Sequence, residues 1–519
     1  MGVEAWGFSR GPGGDLVIGG ASAVELARDY GTPLHVVDEA ALRGRARALR
    51  STFEAHYPSV ELFYAVKCNA VAAVVRAVLE EGFGAEVMSE FEFWLARRLG
   101  LPARRIVLNG PNKKEGLLRE AVAQGVGAVV VDSLGELARL EAVAEEMGAT
   151  ARVLLRVNPD FVPRGMNSAS ATGSRRGSVF GLDLRGGELG PAFERLRRSR
   201  RLLYAGLHAH IGTGIRHPED YPRAFRRIAP AFLQARAAGL ETLVFDFGGG
   251  FGVPTSREFT TWEFLAYQGW GRLPRLAVRA ADFAPPLCAA LRDFCRREGL
   301  PLPTLYLEPG RAIAGPAQVL LLTVGEVKER RGVGKWVISD GGAGTCAFPL
   351  YYECHEVLLA SDVDAPPAER VAMVGSVCFA SNWIYRKKRM PALRPGDVLA
   401  VMDAGAYFLA LEANFGFPRT PVVMVSGGQA RLVRRRETFE EMAARDLDAS
   451  ASPPFIKGGP GGILALTEIP PSPPLAKGGL KVTHLAVGGE ATGSAGDEPR
   501  PYTANRTTGG RDGLHARPG

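Results

Sequence analysis

The stretch FYAVKCNA, residues 63–70, places a single lysine at the end of an apolar run. Four apolar residues precede Lys67, which is typical of a buried strand, and a small turn follows near Asn69. A buried lysine without a partner is rare. Burial lowers the pKa of an amine, and a neutral amine is a nucleophile that can form a Schiff base. For this stretch alone, a lysine that ends a strand and extends to water stays an open alternative.

The sequence around Lys67 repeats one pattern, in which a short apolar run is followed by an amphipathic segment. Segments such as Phe232–Gly239 and Gly135–Met147 show helical spacing of apolar residues. Seven apolar runs are strand candidates: Leu62–Val66, Ile106–Leu108, Ala128–Val131, Val153–Val157, Leu203–Ala209, Thr242–Phe247 and Leu305–Leu307. This alternation over residues 36–315 predicts an α/β fold, and eight such units close into a (β/α)8 TIM-type barrel. The eighth strand is assumed.

After about residue 316 the pattern changes to short strands separated by turns. The candidates are Val319–Val327, Trp336–Ser339, Arg370–Val374, Val398–Met402 and Pro421–Ser426. They predict that residues 316–447 form a C-terminal β-sandwich or β-barrel domain, which the N-terminal segment 1–35 would join through Asp15–Ile18. Residues 448–519 are rich in proline and glycine and loosely repeat SPPFIKGG as SPPLAKGG, so we expect a disordered tail.

Composition limits the classes of function. The 519 residues are 46% apolar and 23% charged, as expected of a globular protein with a large core. The formal net charge is +8, but no motif for reading nucleic acid accompanies it, so we expect no nucleic-acid partner. The six cysteines form no Cys-x-x-Cys pair, which favours a cytosolic protein without a zinc site. We expect neither a signal peptide nor a membrane span.

Three polar residues and one glycine directly follow four of the predicted strands. Lys67, His210, Gly248 and Glu308 hold these positions, and the C-terminal ends of barrel strands meet at one mouth. We therefore expect the four residues to converge on one site. Arg311 lies three residues after Glu308. A surface salt bridge between the two, without a role in a site, stays an open alternative.

The glycine and histidine motifs have more than one interpretation. The triplet 248–250 could present backbone N–H groups to an anion, although a tight turn would also explain it. His208 and His210 occupy alternate positions, as two ligands of one metal ion can, but no third ligand has suitable context, so we predict no metal. Together, a lysine, a carboxylate, glycine amides, an arginine and an imidazole are what a phosphate-bearing pyridine aldehyde needs.

Six motifs resemble, in order, those of the fold-type III pyridoxal-phosphate enzymes with an alanine-racemase-like barrel. The resemblance covers about residues 25–445 and is closest to the diaminopimelate/ornithine decarboxylase family. The motifs are Gly31–Leu34, Tyr64–Lys67, His208–Thr213, Phe245–Phe251, Glu308–Arg311 and Asp403–Tyr407. The third has threonine where the family usually has serine.

The resemblance implies a role for each matched residue and pyridoxal 5'-phosphate as cofactor. Lys67 would carry the cofactor, His210 would stack on its ring, and Glu308 would pair with the ring nitrogen. The phosphate would be held by Thr213, Gly249, Gly250 and Arg311, with Tyr407 there or nearby. Cys378 resembles the cysteine that enters the partner subunit's site and returns a proton to the substrate, which implies a homodimer with shared sites. Without the resemblance, a buried apolar cysteine would explain Cys378.

The chain departs from the family at the substrate side. Phe379 stands where the family has an acidic residue that binds the distal amino group, and Phe348 stands where diaminopimelate decarboxylases have an arginine. Tyr352 closes the same segment. A distal ammonium left unpaired against Phe379 would cost on the order of 1–3 kcal/mol, although a cation–π contact would recover part of this. We therefore expect an α-amino acid that is not a simple dibasic one.

The predicted activity is the decarboxylation of an L- or D-configured α-amino acid. Its side chain would be apolar or acylated, or the substrate would be tethered to a carrier protein. The basic stretch Arg386–Arg389 would either meet an acidic carrier or form a solvated loop. An amino-acid racemase or epimerase of the same fold and a catalytically silent regulator that binds the cofactor are the alternatives. The aromatic region Arg257–Asp282 would shape the pocket or pack on the surface.

Overall fold

A closed barrel of eight parallel strands forms the larger part of the fold. The computed structural model describes residues 2–166, 174–258, 260, 262–263, 265, 278–346, 353–380 and 382–446. The barrel strands are Val60–Ala65, Gly84–Val87, Ile106–Leu108, Ala128–Val131, Ala151–Asn158, Leu202–His208, Val244–Asp246 and Thr304–Leu307. Each pairs in parallel with its neighbours, and the last strand pairs with the first. The predicted TIM-type barrel followed by a β domain is confirmed.

The strand that the sequence does not reveal is Gly84–Val87. Glu86 interrupts its short apolar run, and a charged residue in four argues against a buried strand. The structure nevertheless buries this carboxylate, because it pairs with the amine of Lys67 in the short 3-10 helix that follows the neighbouring strand Val60–Ala65. The sequence therefore reveals neither this strand nor Glu86 as the partner of Lys67, and the reason is the same ion pair.

Helices surround the barrel, and three of them begin at a residue whose side chain caps the first turn. The longer helices are Glu39–His56, Ala72–Glu80, Glu90–Arg98, Glu115–Gln124, Leu134–Glu146, Leu189–Arg198, Asp220–Ala237 and Ala284–Glu298, and a helix at Ala23–Tyr30 precedes them. The side chains of Asp38, Ser89 and Ser133 each accept a backbone N–H in the first turn of the helix that follows. The short helices Arg311–Ala314 and Phe439–Ala443 come later in the chain.

A second sheet contains the strands of the β domain. Its order is Trp383–Met390, Glu369–Val374, Gly334–Ser339, Gln318–Arg330, Leu34–Asp38, Val422–Ser426 and Gln429–Arg434. Val398–Val401 also pairs with Gln318–Arg330, and Val357–Leu359 pairs with Val398–Val401. Apolar side chains from these strands, including Leu320, Val337 and Leu399, form a separate core.

Two expectations for this part of the chain are wrong. Leu16–Ile18 does not join the second sheet but pairs with Ser9–Arg10 and Ala21–Ser22 in a small sheet of its own, and Leu34–Asp38 is the N-terminal strand that joins. The basic stretch 386–389 is not a loop, because it lies within the strand Trp383–Met390.

Several predictions fall outside the described residues. These are the substrate-side residues Phe348 and Tyr352, most of the aromatic region 257–282, and the predicted tail 448–519. Among the described residues, no helix combines the length and the apolar character that crossing a membrane requires.

Candidate active site

Lys67 lies at the barrel mouth, in the short 3-10 helix Val66–Cys68 that directly follows the first barrel strand. Its Nζ donates a hydrogen bond to Oε2 of Glu86, whose side chain is only 1% exposed. Burial alone would lower the pKa of Lys67, but the carboxylates of Glu86 and Glu308 outweigh burial and raise it. The expected lowering of this pKa is therefore wrong, because two acidic groups lie beside the amine.

Glu308 directly follows the last barrel strand and faces several polar groups. Its Oε1 accepts a hydrogen bond from Asn109 at 3.4 Å, and its Oε2 lies 3.6 Å from Nε2 of His208. Burial raises the pKa of Glu308, while Lys67 and Arg156 oppose that rise. Arg156 itself lies 3.3 Å from Asp132, so its charge is already paired. The site therefore balances buried acids against buried bases.

The two histidines are neutral. Burial, reinforced by the charges of Arg156 and Lys67, holds the pKa of both His208 and His210 well below its ordinary value. The Nδ1 atoms of both rings are buried and have no hydrogen-bond partner among the described residues. Such atoms are costly unless a further group satisfies them.

Asp246 and Glu308 both approach His208. One nitrogen or carboxylate oxygen from each of the three side chains lies within 4.8 Å of those of the other two. The sequence could not reveal this arrangement, because the residues are far apart in the chain. The expectation that the histidine motif has no further potential ligand nearby is therefore wrong, because Asp246 and Glu308 lie beside His208. We assign no metal to the three, since Glu308 is already engaged by Asn109 and by nearby cations.

The glycine loop 248–250 packs directly against Glu308. A Cβ atom on Gly249 would lie 2.1 Å from the Glu308 carbonyl oxygen, and one on Gly250 would lie 2.0 Å from the Gly212 carbonyl oxygen. A Cβ atom on Gly248 would lie 2.7 Å from Nδ1 of His210. Gly248 and Gly250 also have φ values of +60° and +92°, which favour glycine. The loop therefore has no room for side chains and lies against both His210 and Glu308.

Arg311 is held by an acid that the sequence does not single out. Its Nη1 and Nη2 donate to Glu353 at 2.8 and 2.6 Å, and its Nε lies 3.4 Å from the Thr213 hydroxyl. Nε2 of His355 lies 3.0 Å from the same carboxylate. Burial would raise the pKa of Glu353, but Arg311 and His355 outweigh it and lower the pKa to about 2. The suggested surface pair between Glu308 and Arg311 is wrong, because both residues are buried and Arg311 pairs with Glu353.

Tyr407 joins this group from the β domain. Its ring lies under the Arg311 guanidinium at 5.1 Å, and its backbone N–H donates to the Cys68 carbonyl at 2.9 Å. Burial raises the pKa of the phenol to about 12, so it stays a neutral hydrogen-bonding group. Asp403, four residues earlier, fixes the turn by accepting hydrogen bonds from Trp6 and Thr255 at 2.7 and 2.5 Å.

Cys378 is not among the residues gathered around Lys67. It is exposed in the loop after Glu369–Val374, where Asn382 donates to the Val377 carbonyl at 2.9 Å. No hydrogen bond or ring contact within the described ranges joins Cys378 or Phe379 to the residues around Lys67. Phe379 is 50% exposed, and its ring centroid lies 6.4 Å from that of Phe415.

Pyridoxal phosphate fits the residues gathered at the barrel mouth. They offer the amine of Lys67, a carboxylate at Glu308, an unpartnered ring atom on His210 and a glycine loop that approaches without side chains. These are groups suited to an aldehyde, a ring nitrogen, an aromatic face and a phosphate.

Comparison with known proteins agrees with this fit. The family model "Pyridoxal-dependent decarboxylase, pyridoxal binding domain" matches residues 42–315. The chain belongs to the pyridoxal-dependent decarboxylase family. Two relatives are the diaminopimelate decarboxylases of Actinosynnema pretiosum subsp. auranticum and Methanothermobacter thermautotrophicus, at 36% and 35% identity. The first match covers 84% of this chain and 93% of the relative, and the second covers 83% and 95%.

A solved structure shows the same fold. Diaminopimelate decarboxylase from M. jannaschii, in a co-complex with L-lysine, superposes with a TM-score of 0.74 at 28% identity. The match covers 85% of this chain and 97% of that chain. The predicted family, the carboxy-lyase activity and the cofactor pyridoxal phosphate are confirmed. This pyridoxal-phosphate-dependent enzyme decarboxylates an amino acid, which decides against the racemase and the silent regulator.

Proposed function

We propose that this decarboxylase acts on an α-amino acid whose side chain is apolar or acylated, or which is tethered to a carrier protein. The observation that carries the proposal is Phe379, the residue after Cys378, which presents an aromatic ring next to Phe415 and no carboxylate. A free distal ammonium would have no anionic partner at this position. Diaminopimelate is the second candidate, because the relatives carry that name.

Each residue at the barrel mouth would have its own role in the reaction. When bound, pyridoxal phosphate supplies a ring that accepts the electron pair released as the α-carboxylate leaves as CO2. Lys67 would hold the cofactor through its amine, and Glu308 would face the ring nitrogen. His210 would cover one ring face and keep water from it. The phosphate would be held by Thr213, Gly249, Gly250, Arg311 and Tyr407.

Arg311 would bring little net charge to that phosphate. Its bidentate partner Glu353 already neutralises the guanidinium. The backbone N–H groups of the glycine loop would then supply much of the attraction. We expect the phosphate to share Arg311 with Glu353 rather than to displace it.

The proposal includes a homodimer in which Cys378 of one chain returns a proton in the site of the other. Apolar side chains are exposed in two places that support this. Phe91 and Trp94 stack on the helix after the strand of Glu86. Phe379, the residue after Cys378, lies near Phe415. Contiguous exposed aromatic groups of this kind often mark interaction sites.

A carrier protein would find basic groups on an edge strand of the second sheet. Arg386, Lys387 and Arg389 are exposed on Trp383–Met390, whereas Lys388 pairs with Glu356. Charged side chains on an edge strand also prevent pairing with other sheets. The proposed location is cytosolic, which agrees with six free cysteines.

A substrate panel tests the proposal. Purified protein with added cofactor would be assayed for CO2 release from meso-diaminopimelate, lysine, ornithine, their side-chain-acetylated forms and apolar amino acids. We expect an acetylated or apolar substrate to give the highest kcat/KM. Highest activity with meso-diaminopimelate would show that our interpretation of Phe379 is wrong.

A substitution adds an independent arm to this panel. Phe379→Glu restores an acid at this position and should raise kcat/KM for dibasic substrates roughly tenfold or more, because a charged hydrogen bond contributes about 1.5–3 kcal/mol. Phe417→Glu, at another exposed phenylalanine, serves as the control and should change nothing.

Mixing two inactive variants tests the shared site. K67A and C378A would each be inactive alone, and a mixed dimer would contain one intact site. Recovery of about a quarter of the wild-type activity is expected for random assembly of dimers. No recovery from mixed dimers of confirmed composition would place Cys378 in its own chain's site or outside catalysis.

A further inference from the structure

Asp246 is a buried acid that the proposed function leaves without a role. It ends the seventh barrel strand, Val244–Asp246, and its side chain is fully buried. Its Oδ1 accepts the Gly248 N–H at 2.9 Å, which ties it to the glycine loop. Its Oδ2 is buried and has no hydrogen-bond donor among the described residues. One half of this carboxyl group is therefore satisfied and the other is not.

The carboxyl group of Asp246 has a second carboxyl group nearby. Donor atoms of Asp246, Glu308 and His208 lie within 4.8 Å of one another, and all three side chains are buried. Two carboxylates this close in a buried site cannot both be ionised without a large cost. One shared proton removes the repulsion and also gives the unsatisfied oxygen a hydrogen bond.

The surrounding charges decide which acid keeps the proton. Lys67 and Arg156 face Glu308 and favour its ionised form. Asp246 faces the acids Glu308 and Glu86 and the neutral ring of His208, and burial together with these charges raises its pKa well above the ordinary value. The cations thus lie on the side of Glu308, and the proton belongs on Asp246.

We propose that Asp246 is a positioning residue that stays protonated at neutral pH and donates a hydrogen bond to Glu308. It thereby keeps Glu308 ionised and links it to the glycine loop. The location of the proton is independent of the substrate, whereas its effect on the cofactor rests on the proposed role of Glu308.

The first test observes the proton without cofactor. Infrared spectra of the protein labelled with 13C-aspartate would be recorded at neutral pH for wild type and for D246N. We expect a protonated carboxyl C=O band in wild type that shifts with the label and is absent in D246N. If the substitution removes no such band, Asp246 is ionised and the proposal fails.

The second test uses the cofactor as a reporter. The visible absorbance of the reconstituted enzyme would be titrated against pH for wild type, D246N and D246A, with thermal unfolding as a check of folding. The amide introduced by D246N would still accept from Gly248 and donate to Glu308, so this variant should titrate as wild type does. D246A should shift the midpoint by about one pH unit, because a hydrogen bond to an ionised group is lost.

The outcomes separate this proposal from the one on which it rests. An equal shift in D246N and D246A would mean that the charge of Asp246 matters, which would contradict a neutral donor. An E308Q variant that titrates as wild type does would argue against the role of Glu308 itself, while the infrared result would still report the proton on Asp246. If D246A does not fold, the absorbance titration of D246N and the infrared band still test the proposal.

Discussion

Arg311 and Glu353 form a buried bidentate ion pair, with Nη2–Oε1 and Nη1–Oε2 distances of 2.6 and 2.8 Å. They come from different parts of the fold, Arg311 from the helix after the last barrel strand and Glu353 from a short strand that pairs with Arg257–Glu258. His355 adds a contact to the same carboxylate at 3.0 Å. A guanidinium at the barrel mouth is thus fixed in place and neutralised at once.

Glu353→Gln should destabilise the protein. Arg311 would stay buried without an anionic partner, and breaking such a pair costs about 3–5 kcal/mol. The melting temperature measured by calorimetry should fall clearly. Glu356→Gln, which affects the more exposed pair with Lys388 nearby, should change it little. An equal effect of the two substitutions would contradict the importance assigned to the Arg311 pair.

The same ion pair predicts how the stability of the protein depends on pH. The pKa of Glu353 is lowered from 4.5 to about 2, so its contribution is present above pH 4.5 and is lost as pH falls through about 2. The shift corresponds to on the order of 3 kcal/mol. Urea unfolding between pH 5 and 3 should therefore show a shallower loss of stability in Glu353→Gln than in wild type. Parallel curves would contradict the lowered pKa.

Glu86→Gln should make Lys67 more reactive at neutral pH. The carboxylate of Glu86 helps to raise the pKa of Lys67, so its removal lowers that pKa and increases the neutral fraction. The rate of pyridoxal phosphate capture, followed by absorbance, should rise up to tenfold for each unit of pKa lost. Glu90→Gln, an exposed acid on the following helix, is the control and should follow wild type. Unchanged rates in Glu86→Gln would show that Glu86 does not control the amine.

Gly249→Ala should disturb the glycine loop. The new Cβ would lie 2.1 Å from the Glu308 carbonyl oxygen, so the backbone must move. We expect at least a tenfold loss of pyridoxal phosphate affinity in a fluorescence titration and a destabilisation of about 1–3 kcal/mol. Gly190→Ala provides the control, because it lies in the helix Leu189–Arg198 with open space around it. An unchanged cofactor affinity in Gly249→Ala would remove the loop from the phosphate site.

The sequence predicts the barrel because most of its strands are plain apolar runs. The strand that the sequence does not reveal, Gly84–Val87, contains a charge whose burial depends on Lys67, and no local pattern shows that pairing. The β domain is harder to predict from the sequence. Trp383–Met390 carries four consecutive basic residues, and its position at a sheet edge explains why they are tolerated there.

For the candidate site, the sequence identifies residues at strand ends but not the acids that balance them. Lys67, His210 and Glu308 follow strands, and barrel geometry brings strand ends together. Glu86, Asp246 and Glu353 lie within strands, where side chains far apart in sequence become neighbours. For Glu86 and Asp246 the sequence offers one signal, an acid inside an apolar run. It is visible in GAEV and VFD, but it does not name the partner.

The most direct test of the account asks which lysine carries the cofactor. The enzyme would be loaded with pyridoxal phosphate, reduced with borohydride, digested and analysed by mass spectrometry. Lys113, buried in an ion pair with Glu136 at 3.0 Å, serves as an internal comparison. We predict a pyridoxyl adduct on Lys67 and none on Lys113. An adduct on another lysine, or none on a protein that has bound the cofactor, would contradict the assignment of Lys67.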